Sequence, residues 1–474
     1  MRKPYLLIFA LLCLGLNTIQ AQYKVLHSFN DTNGANPTGS LTLAGNKLYG
    51  MTNVGGAYNA GCIFSIDTNG NSYKNLLDFN DTNGANPYGS LILSGNVLYG
   101  MTSSGTNFDG NIFSIDTNGN NFKSIWSFST IDDSNGAAPN GSLILSGKVL
   151  YGMTGHGGLN GNGNIFSINT NGTNYKDLLD FNGTNGNYPS GDLILLGNIL
   201  YGMTPRGGVH SEGNIFSLDT NGSNYKDLWD FSNAGDSNGT QPLGSLTISG
   251  NKFYGTTYAG GRNSWGNIFS IDVNGGGYKD LFDFNFTNGY APMGNLTLWG
   301  GELYGIMPYE GANNNGYIFS IDTSGNSYKD LFDFSNNKLI NGNQYPANSL
   351  ILSGNVFYGM TEGGGAIDSN SGVIFSFKDI NIVSINELAK GSGGVSIFPN
   401  PNNGLFTIQS NTAEVNSTVA IYNMHGEKIY TQPLRQAQGD NSIDLSNSPS
   451  GIYLYRVLTE TGNLISSGKF VIQK

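Results

Sequence analysis

The chain has 474 residues, with 22 Lys+Arg against 33 Asp+Glu and a formal net charge of -11. So thin and acidic a charge distribution offers no basic stripe for phosphates, which argues against nucleic acid as a partner and against adsorption to anionic lipid. Seventy glycines and a 38% hydrophobic content describe strands and tight turns, in a chain long enough for two or more domains.

In chain order, Arg2 and Lys3 precede an apolar run from Tyr5 to Leu16, and NTIQA then leads to a cut after Ala21. Residues 1–21 therefore read as an export signal, too short to span a bilayer, and no later segment is apolar enough for a transmembrane segment. Leu12 stands before Cys13 where lipid attachment asks for a small residue, so simple cleavage is expected. Cys62 is then the single cysteine of the mature chain, which leaves no intramolecular disulfide.

From residue 22 to 379 the chain repeats itself. The string LYGMT or a variant places Tyr49, Tyr99, Tyr151, Tyr201, Tyr254, Tyr304 and Tyr358, and IFS places Phe64, Phe113, Phe166, Phe216, Phe269, Phe319 and Phe375. Members of each series lie 49 to 56 residues apart. Each unit reads as four short strands, in the second copy SLIL (Ser90 to Leu93), VLYGMT (Val97 to Thr102), NIFSID (Asn111 to Asp116) and FKSIWSF (Phe122 to Phe128). No helical period interrupts them. Four antiparallel strands at this spacing predict an all-β fold, a seven-bladed β-propeller. An orphan strand, Tyr23 to Phe29, precedes the first unit, and the last unit lacks its fourth strand after Val373 to Phe377. The two should pair and close the ring, which removes the open edges that invite aggregation.

The recurrent segment DTNGNSYK (Asp67 to Lys74) could be a cation loop or a hairpin turn. Five of six copies begin with an acid (Asp67, Asp116, Asp219, Asp272, Asp322) and one with Asn169. Calcium takes six or more oxygens with several carboxylates, and one acid per hairpin does not supply them. Asn-Gly supplies positive φ cheaply, so these are turns. The second glycine-rich string, NGANP and its variants, carries a proline that ends strand pairing. Asp31, Asp81, Asp133 and Asp236 precede it, but Gly183, Phe286 and Leu339 take that place elsewhere, which argues against a shared metal.

The NGxxP loops and the segments after LYGMT should open on one face, opposite the monotonous SGN and DTNGN turns. The segments after LYGMT vary most, and a constant frame with variable loops suits a binding surface as well as simple drift. The distinctive residues are Tyr58, Phe108, His156, Arg206, His210, Glu212, Arg262, Trp265, Tyr309, Glu310, Glu362 and Asp368. Aromatics beside amides and acids suit sugar rings. His156, His210 and Glu212 are the nearest approach to a metal cluster, but metal motifs come at tighter spacing on rigid elements, so no metal and no cofactor are expected. Asp192 replaces Ser at the start of an innermost strand, and Glu310 and Glu362 sit on neighbouring units. None is paired in sequence as glycoside hydrolysis would require, and no GxSxG motif accompanies them, so no catalytic residue is assigned.

LYGMT, a GG-containing loop and GNIFSID together resemble the Gloeo-Verruco tandem repeat of exported bacterial proteins, over Tyr23 to Asp379. The resemblance implies a repeat fold and no activity. After a linker at 380–394, residues 395–474 resemble the type A sorting domain of the Bacteroidetes type IX secretion system. The matching strings are FPNPNNGLFTI (Phe398 to Ile408), VAIYNMHGEKIY (Val419 to Tyr430), IDLSNSPSGIYLYRV (Ile443 to Val457) and KFVIQK (Lys469 to Lys474). They read as a small β-sandwich with a hairpin at His425-Gly426. The resemblance implies the type IX machinery as partner, then release or attachment at the outer cell surface. The expectation is a non-enzymatic exported module binding glycan or a surface protein. The alternatives are a polysaccharide-degrading enzyme using loop carboxylates and a structural surface protein without a specific ligand.

Overall fold

The computed structural model describes residues 22–105, 109–129, 135–233, 238–334, 349–365, 370–379, 395–398, 402–410, 417–423, 428–434, 441–449, 451–459 and 464–472. The export signal, the linker, Phe108, Asp133, Asp236, Leu339, Asp368 and the His425-Gly426 hairpin lie outside them. The chain divides into two compact units, one ending at Asp379 and one beginning at Ile380.

The first unit holds seven four-stranded antiparallel sheets among the described residues. The second repeat contributes Ile92–Ser94, Val97–Thr102, Asn111–Asp116 and Lys123–Ser127, paired in sequence order. The innermost and outermost strands are each shorter than the sequence suggests. A bulge recurs between the Ile and Phe of IFS, at Ile63/Phe64, Ile112/Phe113 and their counterparts. The strand Gln22–Ser28 pairs with Val373–Lys378, from Gln22 opposite Lys378 to Ser28 opposite Val373. The first strand of the unit thus completes the sheet of its last repeat.

The motifs explain themselves once paired. Gly50 lies opposite Phe64, and a Cβ there would stand 2.5 Å from the Phe64 ring. The glycine of LYG exists to seat the phenylalanine of IFS. Core clusters run between successive repeats: Tyr49, Met51 and Ile63 pack with Leu91, Leu98 and Phe113. Leu26, Phe29, Tyr358 and Ile374 pack with Leu41, Leu48 and Phe64, joining last repeat to first. Aromatics staple neighbours on the outer rim, where Trp126 stacks on Tyr175 at 4.2 Å and Trp229 on Tyr278 at 4.2 Å.

At the axis the sheets meet in a ring of hydrogen bonds. The backbone N–H groups of Ser40, Ser90, Ser142, Asp192, Ser245, Asn295 and Ser349 each donate to the side-chain oxygen of the next, and Ser349 returns to Ser40. Glycines just before six of the seven allow the approach: a Cβ on Gly89 would lie 2.2 Å from the Gly141 carbonyl oxygen.

The DTNGN segments are hairpin turns. Gly70 has φ +92, its N–H donates to the Asp67 carbonyl, and Asn69 Oδ1 accepts from the Asn71 N–H. The Asp67 carboxylate does something else: it pairs with Lys47 on the adjoining strand at 2.8 Å.

The second unit has a three-stranded sheet, ordered Val395–Phe398, Leu405–Ser410, Asn441–Asp444, and a four-stranded one, ordered Lys428–Leu434, Ser417–Tyr422, Gly451–Leu458, Leu464–Ile472. Phe406, Ile408 and Ile443 of one share a core with Val419, Val457 and Phe470 of the other. This is a β-sandwich.

Candidate functional site

The two irregular loop families of each repeat do lie together. Isolated bridges join Ala35 to Val54, Ala85 to Ser104, Ala137 to His156 and Asn187 to Arg206. The same loops are knitted to the preceding repeat. The N–H groups of Asn36, Asn86, Ala138, Tyr188, Gln241 and Ala291 donate to the carbonyls of Ser371, Ala60, Asp109, Asn162, Glu212 and Trp265. All six donors precede a proline and have positive φ, from 49 to 61. That conformation is disfavoured for non-glycine residues, so the collar holds its strain through these bonds.

Two further devices steady the collar. Tyr73, Tyr175 and Tyr225, the tyrosines ahead of the outer strand, donate their hydroxyls to the carbonyls of Asn33, Asn135 and Asn185 in the NGxxP loops. Burial holds these hydroxyls protonated, well above the usual tyrosine range. The aspartate ending the outer strand caps the variable loop: Asp180, Asp230 and Asp283 accept from the N–H groups of Leu159, Val209 and Arg262 at 2.7 Å. Three residues earlier stand Asp177, Asp227 and Asp280, with Asp330 before Asp333 in the next repeat. Burial first, and the neighbouring carboxylate next, push Asp177, Asp227 and Asp330 up to about 6 and Asp280 to about 7. In the first repeat the partner is Asn75, which donates its amide to Asp78 at 2.8 Å. In the four repeats with an acid pair, that amide is absent and the raised pKa favours a proton between the two carboxylates as pH falls below about 6 to 7.

The sequence-selected residues fall into separate groups on this loop face. Tyr58 is 65% exposed on its own loop. His156 packs edge-on to Tyr188 at 4.6 Å, and Arg206 lies over the same ring at 5.5 Å. His210 is exposed and Glu212 half-buried on the Arg206 loop. Among the described residues no group of three or more His, Cys, Asp or Glu converges as a metal site. Glu310, half-buried with φ 67, and Glu362, which burial pushes up to about 7, close the set.

Trp265 and Tyr309 belong to a continuous aromatic cluster. Trp265 approaches Tyr290 at 5.1 Å and Phe286 at 5.9 Å, and Tyr290 stacks on Tyr309 at 4.8 Å. Trp265 is 38% and Phe286 59% exposed, beside the exposed Arg262. Phe286 and Tyr290 come from the NGYAP loop; Phe286 stands where the other copies have Asp, Gly or Leu, and that departure was the available signal. Reasoning from sequence also passed over the axial cavity, of about 100 Å³. Its mouth takes one residue after each proline, Thr38, Tyr88, Asn140, Ser190, Leu243 and Met293, with the hydrogen-bonded ring and Asp192 in its lining.

A ring of four-stranded sheets closed by its own first strand, with a collar of irregular loops on one face, defines a β-propeller. The chain belongs to the Gloeobacter/Verrucomicrobia repeat family, whose model matches residues 13–135, 129–247 and 230–392. Residues 396–473 match the secretion system C-terminal sorting domain, which makes the protein a cargo of type IX secretion, delivered to the cell surface or extracellular space. No helix among the described residues is long and apolar enough to cross a membrane.

No curated protein is a detectable relative. Among solved structures, the extracellular domain of the two-component system BT4673 of B. thetaiotaomicron is 12% identical at a TM-score of 0.53, over 94% of this chain and 53% of that one. A fungal alcohol oxidase of the AA5 family, solved with copper, is 12% identical at 0.51, over 96% of this chain and 100% of that one. PorZ, a surface component of the type-IX secretion system of Porphyromonas gingivalis, is 13% identical at 0.47; the match covers 92% of this chain and 59% of PorZ. At these identities the likeness concerns the fold alone.

Proposed function

We propose that the protein is a non-catalytic binding module of the cell surface and that its loop face takes up glycan at the Trp265 cluster. The observation that carries this reading is the exposure of Trp265 and Phe286 on an otherwise solvated collar, held in contact with Tyr290 and Tyr309. Large aromatics are normally buried, and an exposed group of them marks an interaction site. Flat ring faces suit the C–H faces of pyranose sugars, and the exposed Arg262 lies on the same loop as Trp265. The backbone bond from Ala291 to the Trp265 carbonyl, 3.1 Å long, fixes the platform before any ligand arrives.

The test is a glycan array with the secreted chain, repeated with Trp265→Ala. Binding should weaken about five-fold or more, the equivalent of roughly 1 kcal/mol for a lost aromatic contact, while the melting temperature stays unchanged. Binding indifferent to Trp265 and Phe286 overturns the assignment. Release of reducing sugar from a bound glycan would turn the module into an enzyme.

A further inference from the structure

The axial ring contains one feature that ring closure does not require. Five of the seven ring positions are serines and one is Asn295; each accepts its neighbour's N–H through a neutral oxygen. Asp192 alone brings a charge. Its Oδ1 accepts the Ser142 N–H at 2.6 Å, a bond that a serine makes elsewhere in the ring at 2.8 Å. Placing a carboxylate where a hydroxyl suffices carries a desolvation cost, and burial does raise the Asp192 pKa above the usual range despite the bonds from Ser142 and Ser245.

The surroundings define what that charge could meet. Among the described residues lining the cavity there is no Lys, Arg or His to pair with the carboxylate. A concave, uncompensated negative site focuses its field on cations. Calcium is poorly served, because it asks for several carboxylates. An ammonium group is better served: it has three donors, and the site offers a carboxylate among hydroxyls. Above it the lining turns apolar on the next two repeats, with Leu243 and Met293. An alkyl chain attached to the ammonium would lie against those side chains, as lysine stems lie along apolar surface.

The geometry points to an axial site for a primary alkylammonium group, held by Asp192 at the ring and by Leu243 and Met293 of the next two repeats at the mouth. The group could come from a free small amine or from a lysine side chain of a partner polypeptide. This site is distinct in place and chemistry from the Trp265 platform.

The experiment titrates the secreted chain with n-butylamine hydrochloride at pH 7, read by saturation-transfer NMR, beside Asp192→Ser and Asp192→Asn. Asp192→Ser restores the residue found at five ring positions and should keep the fold; Asp192→Asn covers the case in which it does not. Wild type should bind butylammonium saturably, both variants at least ten-fold more weakly, and 1-butanol should not bind. A parallel titration with N-acetyl-lysine methylamide separates the sources: tighter binding than butylamine assigns a lysine side chain, equal or weaker binding a free amine. Absence of saturable amine binding in wild type, or undiminished binding in the folded variants, overturns the proposal. So does displacement of the amine by equimolar calcium chloride.

Discussion

The backbone N–H of Ser349 donates to Oγ of Ser40, 309 residues earlier in the chain, at 3.3 Å. The same bond joins Ser40 to Ser90 only 50 residues on. A contact between successive repeats and a contact between the two ends of the array are thus one interaction, repeated until it meets its own beginning. The ring has no first or last member at its axis, although the chain does.

Deleting residues 22–28 should remove a strand and open that ring at its rim. Tyr23 stacks on Phe332 at 4.4 Å, and Leu26 lies in the core cluster that joins last repeat to first. Burial of such side chains is worth about 1.5–3 kcal/mol each, so a loss of about 5 kcal/mol is expected, together with a new aggregation-prone edge. Chemical denaturation checks it; an unchanged midpoint would deny the closure.

At the axis, Gly89→Ala should be costly although its backbone angles suit alanine. The new methyl would meet the Gly141 carbonyl oxygen at 2.2 Å, and backbone held in a closed ring cannot step aside. A cost near the upper end of overpacking, about 3 kcal/mol, is expected. Gly50→Ala, which meets a ring edge of Phe64, should cost less because a side chain can turn.

The hairpin turns should be indifferent to chelators, since each offers one acid. Asp67→Asn should cost little, at most the small worth of an exposed ion pair with Lys47. Gly70→Val should cost about 1–3 kcal/mol, from its φ of +92 and the Leu26 carbonyl 3.0 Å from the added Cβ. Melting curves of the two variants, with and without EDTA, decide the point.

Stability should rise as pH falls from 7.5 towards 5. Asp177, Asp227, Asp280 and Asp330 have folded pKa values raised to about 6 or 7, so the folded state binds their protons more tightly than the unfolded state. Their contribution is whole below the ordinary carboxylate value and is lost as pH rises through 6 to 7. His27 opposes them: burial lowers it to about 4, so its contribution is lost as pH falls from 6.5 towards 4. Four groups outweigh one. Asp280→Asn, which copies the Asn75–Asp78 pair, should raise the melting temperature at pH 7.5 and flatten its pH dependence. A flat wild-type profile would refute the shared protons.

Removal of residues 395–474 should leave a folded propeller trapped in the periplasm of a host with type IX secretion. Fractionation of that strain measures it, and efficient release of the truncated chain would contradict the sorting role of the C-terminal unit.

The four-strand repeat and the turns were legible in the chain because each rests on neighbours in sequence. The sharing of the last sheet with the first strand was legible because the count of strands at the two ends reveals it. LYG and IFS pair within a single hairpin, Asn-Gly acts on its own φ, and a surplus strand at one end can be matched to a deficit at the other. Only the tertiary structure decided which residues from different repeats share a site. Phe286 and Tyr290 join Trp265 and Tyr309 because neighbouring loops meet, and the Asp177 pKa rises because folding buries it beside Asp180. Asp192 could be noticed as an odd residue among serines. That it stands alone in a neutral ring, beside Leu243 and Met293 of the next two repeats, follows from the closure of the ring, which sets residues about 50 positions apart around one axis.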